Sequence, residues 1–179
     1  MISFDFKQDI HTLYENGIFS ELNTSNYEAM KASVFSKFVY YHLSQKGFVE
    51  TEFNDDVLSK QEKDLIPSTH ILRNGDRLIS FVTYHNSIPT KLNKQFSRRI
   101  SLLDKLFPSN EKNFIVFCPF HYNGKKIRSA ISNRLSFVDV PLKDNKLKQI
   151  CDRYLASIAQ QNIHTTSNSL TEQLSKLSL

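Results

Sequence analysis

Residues 113–120, NFIVFCPF, place apolar side chains on consecutive positions. A strand with one wet face alternates with a period of two, so an unbroken run of this kind is to be buried on both sides. Such a segment needs a sheet with cover above and below it, and neighbouring patterns offer that cover. Tyr27, Met30, Val34, Phe38 and Tyr41 form one stripe, widened by Phe35 and Val39, which predicts a core helix. Thr24 or Ser25 can cap its start, and Gly47 can take the left-handed position after its last turn. A second helix is predicted from Thr90 to Phe107, with Pro108 just beyond it. Its inward face is Leu92, Phe96, Ile100, Leu103 and Phe107, and its outward face carries Lys91, Lys94, Arg98 and Lys105.

Shorter segments fill in the sheet. FVETEF alternates as a strand should, and the polar residues 54–63 after it read as a loop or irregular insert. THILRNGDRLISFVTY reads as a hairpin, with Asn74-Gly75 supplying the positive φ values of a type I′ turn. Asn123-Gly124 predicts a second hairpin, from 113–120 into KIRSAIS, and LSFVDV is a further strand ended by Pro141. Phe6, Ile10, Leu13 and Tyr14 predict a short N-terminal helix ended by Gly17. Leu147, Ile150, Cys151, Tyr154, Leu155 and Ile158 predict a C-terminal one, and the Ser/Thr-rich residues after Asn162 read as mobile. The order α-α-β-ββ-α-ββ(β)-α implies an α/β (α+β) fold, a single domain with a mixed sheet flanked by helices. Its parts are an N-terminal helical segment at 1–22, the α/β domain at 23–141, a helix at 142–161 and a flexible tail at 162–179.

Charge is unevenly spread. The 179 residues include 23 Lys and Arg against 18 Asp and Glu. Between Lys91 and Arg134 there are ten cations against Asp104 and Glu111, a net of +8 that exceeds the +5 of the whole chain. A cationic surface of that density suits RNA, DNA or an acidic protein partner, and its plain alternative is a solvated basic face. No apolar run approaches the ~18–20 residues that span a bilayer, and the N-terminus has no signal-peptide core, so an intracellular chain without membrane insertion is expected. The two cysteines, Cys118 and Cys151, are too few for a disulfide framework or a four-ligand metal site.

Catalytic patterns are sparse. A restriction-type, metal-dependent nuclease needs a carboxylate on one strand of a hairpin and a carboxylate-x-Lys group on the next. The second strand of the first hairpin here reads LISFVTYHN, with Asp76 left in the turn. A diverged nuclease of this type would have to use carboxylates such as Glu50, Glu52 or Asp64. The six histidines show no metal-binding spacing, and no glycine-rich phosphate loop or nucleophile elbow is present. Tyr84 and His85 are residue types that cut RNA without a metal, but neighbours on a strand point to opposite faces. No cofactor is expected.

Taken in order, ASVFSKFVYYHLSQKGFVETEF, LISFVTYHNSIPTKLNKQFSRRISLLDKLF and NFIVFCPFHYNGKKIRSAISNRL resemble the tRNA-splicing endonuclease superfamily, and specifically its small non-catalytic subunit. The matching features are Phe35, Phe38, Tyr41 and Leu43, then Ile88-Pro89-Thr90, then residues 114–117, within a stretch of roughly 27–135. The resemblance implies a fold like that family's catalytic domain and a structural role in a four-subunit complex that removes introns from precursor tRNA. It implies pairing with a catalytic subunit, and a nuclear location or a cytoplasmic one that includes the mitochondrial surface. The implied pairing is strand to strand, through Ile127, Ser129 and Ile131 with Leu135 and Phe137, and a homodimer is the expected substitute in isolation. The family's Tyr-His-Lys triad does not carry over. His85 follows Tyr84 directly, no His occurs between 86 and 120, and Lys112 alone could mimic the lysine. Lys94, Arg98, Lys125 and Lys126 are the candidates to touch RNA or an acidic partner. The alternatives are the diverged restriction-type nuclease and a free-standing nucleic-acid-binding domain.

Overall fold

The computed structural model describes residues 4–6, 8–66, 70–88, 92–108, 111–120 and 134–177, with the backbone alone at 92–93 and 167–177. The helices are α1 (Ile10–Glu15), α2 (Tyr27–Gln45), α3 (Lys60–Lys63), α4 (Leu92–Leu106) and α5 (Asp144–Leu177). The strands are β1 (Val49–Glu50), β2 (His70–Asn74), β3 (Arg77–Thr83), β4 (Glu111–Cys118) and β5 (Leu135–Asp139). They form one sheet in the order β1-β2-β3-β4-β5. The first three are antiparallel, while β4 runs parallel to β3 and β5 parallel to β4. This is a small mixed-sheet domain with helices on both faces, as the patterning predicts.

β4 is buried on both sides, from Phe114 to Cys118. Ile115 and Phe117 join Leu72, Ile79 and Phe81 in the cluster shared with α1, α2 and α5. Phe114 and Val116 join Ile71, Leu78 and Val82 in the cluster formed with Phe96, Ile100, Leu103 and Phe107 of α4. The result is a three-layer packing, with α2 and α5 on one face and α4 on the other. Each such side chain contributes about 1.5–3 kcal/mol by leaving water, which is why β4 is an internal strand with both faces covered. Cys118 and Cys151 are both free and buried, and burial pushes the Cys151 thiol up to about 11.

Several local expectations are corrected. The second hairpin does not hold as drawn, because both sides of β4 are taken, by β3 along 111–117 and by β5 along 114–118. The strand LSFVDV occupies the place assigned to KIRSAIS, and in parallel orientation. Asn123-Gly124 and residues 126–132 themselves lie outside the described residues, as do Thr90 and the Leu92 side chain. The first hairpin turns at Gly75-Asp76, since Asn74 already pairs with Arg77. Gly75 has φ +59° and no non-glycine among the described residues has a positive φ, so the turn is of the II′ kind and not I′. The Asn74 amide instead donates to the Lys46 carbonyl at 2.8 Å, beside the C-terminus of α2. Asn26 caps α2, rather than Thr24 or Ser25, by accepting the Ala29 N–H at 2.8 Å. Gly47, at φ +79°, does follow α2 in the left-handed region.

Within FVETEF only Val49–Glu50 is strand, because Phe48 turns into the core. The insert after it contains α3, closed by a capping box between Ser59 and Glu62. Phe4 and Phe6 are not helical. Phe4 meets Phe117 edge-on at 5.1 Å, and Phe6 stacks on Phe38 at 5.9 Å. The tail expected after Asn162 continues as helix to Leu177. There the hydroxyls of Thr165 and Thr166 donate back to the carbonyls of Gln161 and Asn162, four residues earlier.

Two predictions follow from the core. Phe35 is fully buried, so Phe35→Ala should cost about 3–5 kcal/mol in chemical denaturation, with a loss under 1 kcal/mol contradicting its place in the packing. The second concerns His42, whose ring lies 5.1, 4.6 and 5.5 Å from those of Phe6, Phe38 and Tyr41, with no partner for Nε2. Burial lowers its pKa, with Asp5 opposing and Lys46 assisting, and His70 against Phe81 is lowered in the same way. The unfolded chain therefore binds these protons more readily. Stability should be full above the unfolded imidazole value of about 6.5 and fall as pH drops through it. Thermal melts at high and low pH should show this loss, and His42→Phe should shrink it; an unchanged loss in the variant would clear His42.

Candidate functional site

The β2–β3 hairpin is where a restriction-type nuclease would hold its ion. Here Leu72, Ile79 and Phe81 face α2, Ile71, Leu78 and Val82 face α4, and all six are buried. Ser80 is buried among them, and its hydroxyl has no hydrogen-bond partner. Asp76 is exposed in the turn, Glu50 and Glu52 are exposed at β1 and just after it, and Asp64 is exposed at the end of α3. Among the described residues, no group of three or more His, Cys, Asp or Glu side chains is placed to hold a metal ion.

Tyr84 and His85 diverge. The Tyr84 N–H continues the sheet by bonding the Phe117 carbonyl at 2.9 Å, and its ring packs into the α4 layer, where burial raises its pKa. His85 turns the other way, with Nε2 3.1 Å from the Glu28 carboxylate on α2. Lys112 is occupied elsewhere. Its ammonium donates to the Phe107 carbonyl at 2.6 Å, just past the end of α4, and lies 3.3 Å from Asp104. A lysine at a helix C-terminus satisfies a carbonyl that has no partner within the helix.

Much of the positive charge is spent in the same manner. Arg134 holds Asp104 with two hydrogen bonds, of 2.7 and 2.9 Å, which with Lys112 keep that carboxyl below its usual range. Lys105 bonds Glu62 at 3.0 and 3.1 Å, tying α3 to α4. The Ser59 N–H and that lysine hold the Glu62 carboxyl down to about 2. Lys94 and Arg98 remain exposed one helical turn apart on the outer face of α4. Lys125 and Lys126 lie outside the described residues, as do Ile127, Ser129 and Ile131. Leu135 and Phe137, on the edge strand β5, are half-buried, with side chains packed against the α4 layer.

The most connected polar cluster was not found from the sequence. Lys31 is buried on α2, with its ammonium 2.6 Å from Glu28 and 2.9 Å from Asp144 at the start of α5. His85 completes the group through Glu28. Beside it the Tyr27 hydroxyl donates to Asp152 at 2.6 Å, which pushes its pKa up to about 12. The cluster joins α2, the segment after β3 and α5, and its Lys31–Asp144 bond spans 113 positions. The available signal was position, since Lys31 lies one turn from both Tyr27 and Phe35 in the buried stripe. Its hydrogen bonds to Glu28 and then Asp144 raise the Lys31 pKa, and Lys31 and His85 lower that of Glu28. The ammonium and carboxylate are thereby held ionised, which suits a tie between elements better than proton transfer.

Among the described residues, no helix is long and apolar enough to cross a membrane. In comparisons with known proteins, no family model, curated protein or solved structure matches the chain. The Lys31 cluster makes a direct prediction. In Lys31→Met the Glu28 and Asp144 carboxyls should titrate at higher pH than in the parent chain, as read by carboxyl carbon NMR; unchanged titration would show that Lys31 does not govern them.

Proposed function

We propose that this chain is a non-catalytic structural subunit of the tRNA-splicing endonuclease, pairing with a catalytic subunit in intron removal from precursor tRNA. The observation that carries the reading is the β2–β3 hairpin, which follows a long helix as in a nuclease yet, away from its exposed turn, fills both core layers with Ile71, Leu72, Leu78, Ile79, Phe81 and Val82. The divergence of Tyr84 from His85, and the use of Lys112 to close α4, support it further. The ordered resemblance of three segments supplies the identity of the complex. A structural subunit keeps the sheet as a scaffold and gives up the catalytic side chains, and both properties fit this core.

In this reading Lys94 and Arg98 contact the phosphate backbone of the RNA or an acidic partner surface, a contact weakened by salt. The resemblance assigns the strand-to-strand contact with the catalytic subunit to 127–132. Affinity capture of the tagged chain from its own cells should recover a catalytic endonuclease subunit. The purified chain alone should leave precursor tRNA intact, with or without magnesium. Ile131→Asp should abolish the capture while the circular dichroism of the isolated chain stays unchanged. Cleavage by the chain alone would refute the proposal, as would capture undiminished by the substitution.

A further inference from the structure

A cleft of about 370 Å³ opens on the α2-side face of the sheet, at the N-terminal ends of β3, β4 and β5. Strand alternation brings Arg77, Glu111, Asn113 and Ser136 to this face, with Ile115 and Val138 as the apolar floor and Phe4 as an aromatic wall. Arg77 and Glu111 are register neighbours on β3 and β4. Their closest approach is 3.9 Å, and their side chains are 62% and 68% exposed. A pair so long and so wet is weakly held, so the guanidinium and carboxylate keep most of their hydrogen-bonding capacity. Among the described residues the side chains of Asn113 and Ser136 make no hydrogen bond.

We infer that this cleft binds an unpaired guanine base, carried either by a free guanine nucleotide or by single-stranded RNA. Guanine is a flat ring that offers two acceptors, O6 and N7, on one edge and two donors, N1–H and N2–H, on the adjoining edge. A guanidinium is the forked donor for the first edge. A carboxylate, with two acceptor oxygens, suits the second. Arg77 beside Glu111 presents that donor-next-to-acceptor pattern, and Phe4 supplies a stacking surface for the ring. Adenine would set its N6 donor against the guanidinium and its N1 acceptor against the carboxylate, a mismatch at both groups. Asn113 and Ser136 are left for the hydroxyls of the ribose. The cleft volume falls within the roughly 300–1,000 Å³ usual for small-ligand sites. Because Arg77 and Glu111 offset each other in charge, the cleft has no excess attraction for a bare phosphate. Binding should therefore respond little to salt, unlike contacts made by Lys94 and Arg98.

The inference stands apart from the subunit reading, since the isolated chain suffices to test it. The ¹⁵N-labelled chain is titrated with GMP and, separately, with AMP. GMP should shift the amides of Asn113, Ile115, Ser136 and Val138, and AMP should bind at least about tenfold more weakly. Glu111→Gln and Arg77→Ala should each weaken GMP by about tenfold. Both side chains are exposed, so the remaining spectrum should report an unchanged fold. A guanine-containing ribohexanucleotide that binds more tightly than GMP assigns the base to RNA, and equal binding assigns it to a free nucleotide. Equal affinity for GMP and AMP, no shift at millimolar GMP, or indifference to Glu111→Gln would overturn the proposal.

Discussion

Burial of β4 on both faces is the constraint on which the other elements depend. Its five core residues, from Phe114 to Cys118, need apolar cover above and below. α2 and α5 meet one requirement and α4 the other. Parallel pairing of β4 with β3 follows from the same demand, because it lets α4 cross over between them and lie on the exposed face. With β3 on one side of β4 and β5 on the other, residues 114–117 are paired on both sides.

Charged groups then act chiefly as ties between these layers. Asp104 gathers Lys112 and Arg134 at the end of α4 where β4 and β5 begin. Lys31 gathers Glu28 and Asp144 where α2 meets α5. Both groups hold their members ionised, and both spend charges that a reading of the sequence alone would leave on the surface. The basic character of residues 91–134 is thus partly an internal device, and Lys94 and Arg98 are what α4 presents outward. That division is why the functional reading rests on scaffold and contact rather than on chemistry.

The layers were legible because they depend on periodicity. The stripe from Tyr27 to Tyr41, the inward face of α4 and the unbroken run of β4 each carry their burial in local spacing. What was not legible depends on partners distant in sequence. Asn123-Gly124 is a strong hairpin signal taken alone, yet β5 claims the position by long-range pairing that no local pattern announces. Asn74 fits a turn by propensity, but its side chain is drawn to the end of α2, and the turn moves one residue on. The Lys31 cluster needs α5 in place before it exists. Of the candidate contact residues, the exposure of Lys94 and Arg98 follows from helical phase, whereas the layer that Leu135 and Phe137 enter depends on the strand order of the sheet.

A sheet in which β4 is paired on both sides and buried on both faces links the fold to the proposed scaffold role. Cross-strand nuclear Overhauser contacts measure that arrangement directly. The account predicts contacts from residues 114–118 to both Ser80–Thr83 and Leu135–Asp139, in parallel register on each side. Antiparallel contacts between 113–120 and 126–132 would contradict it.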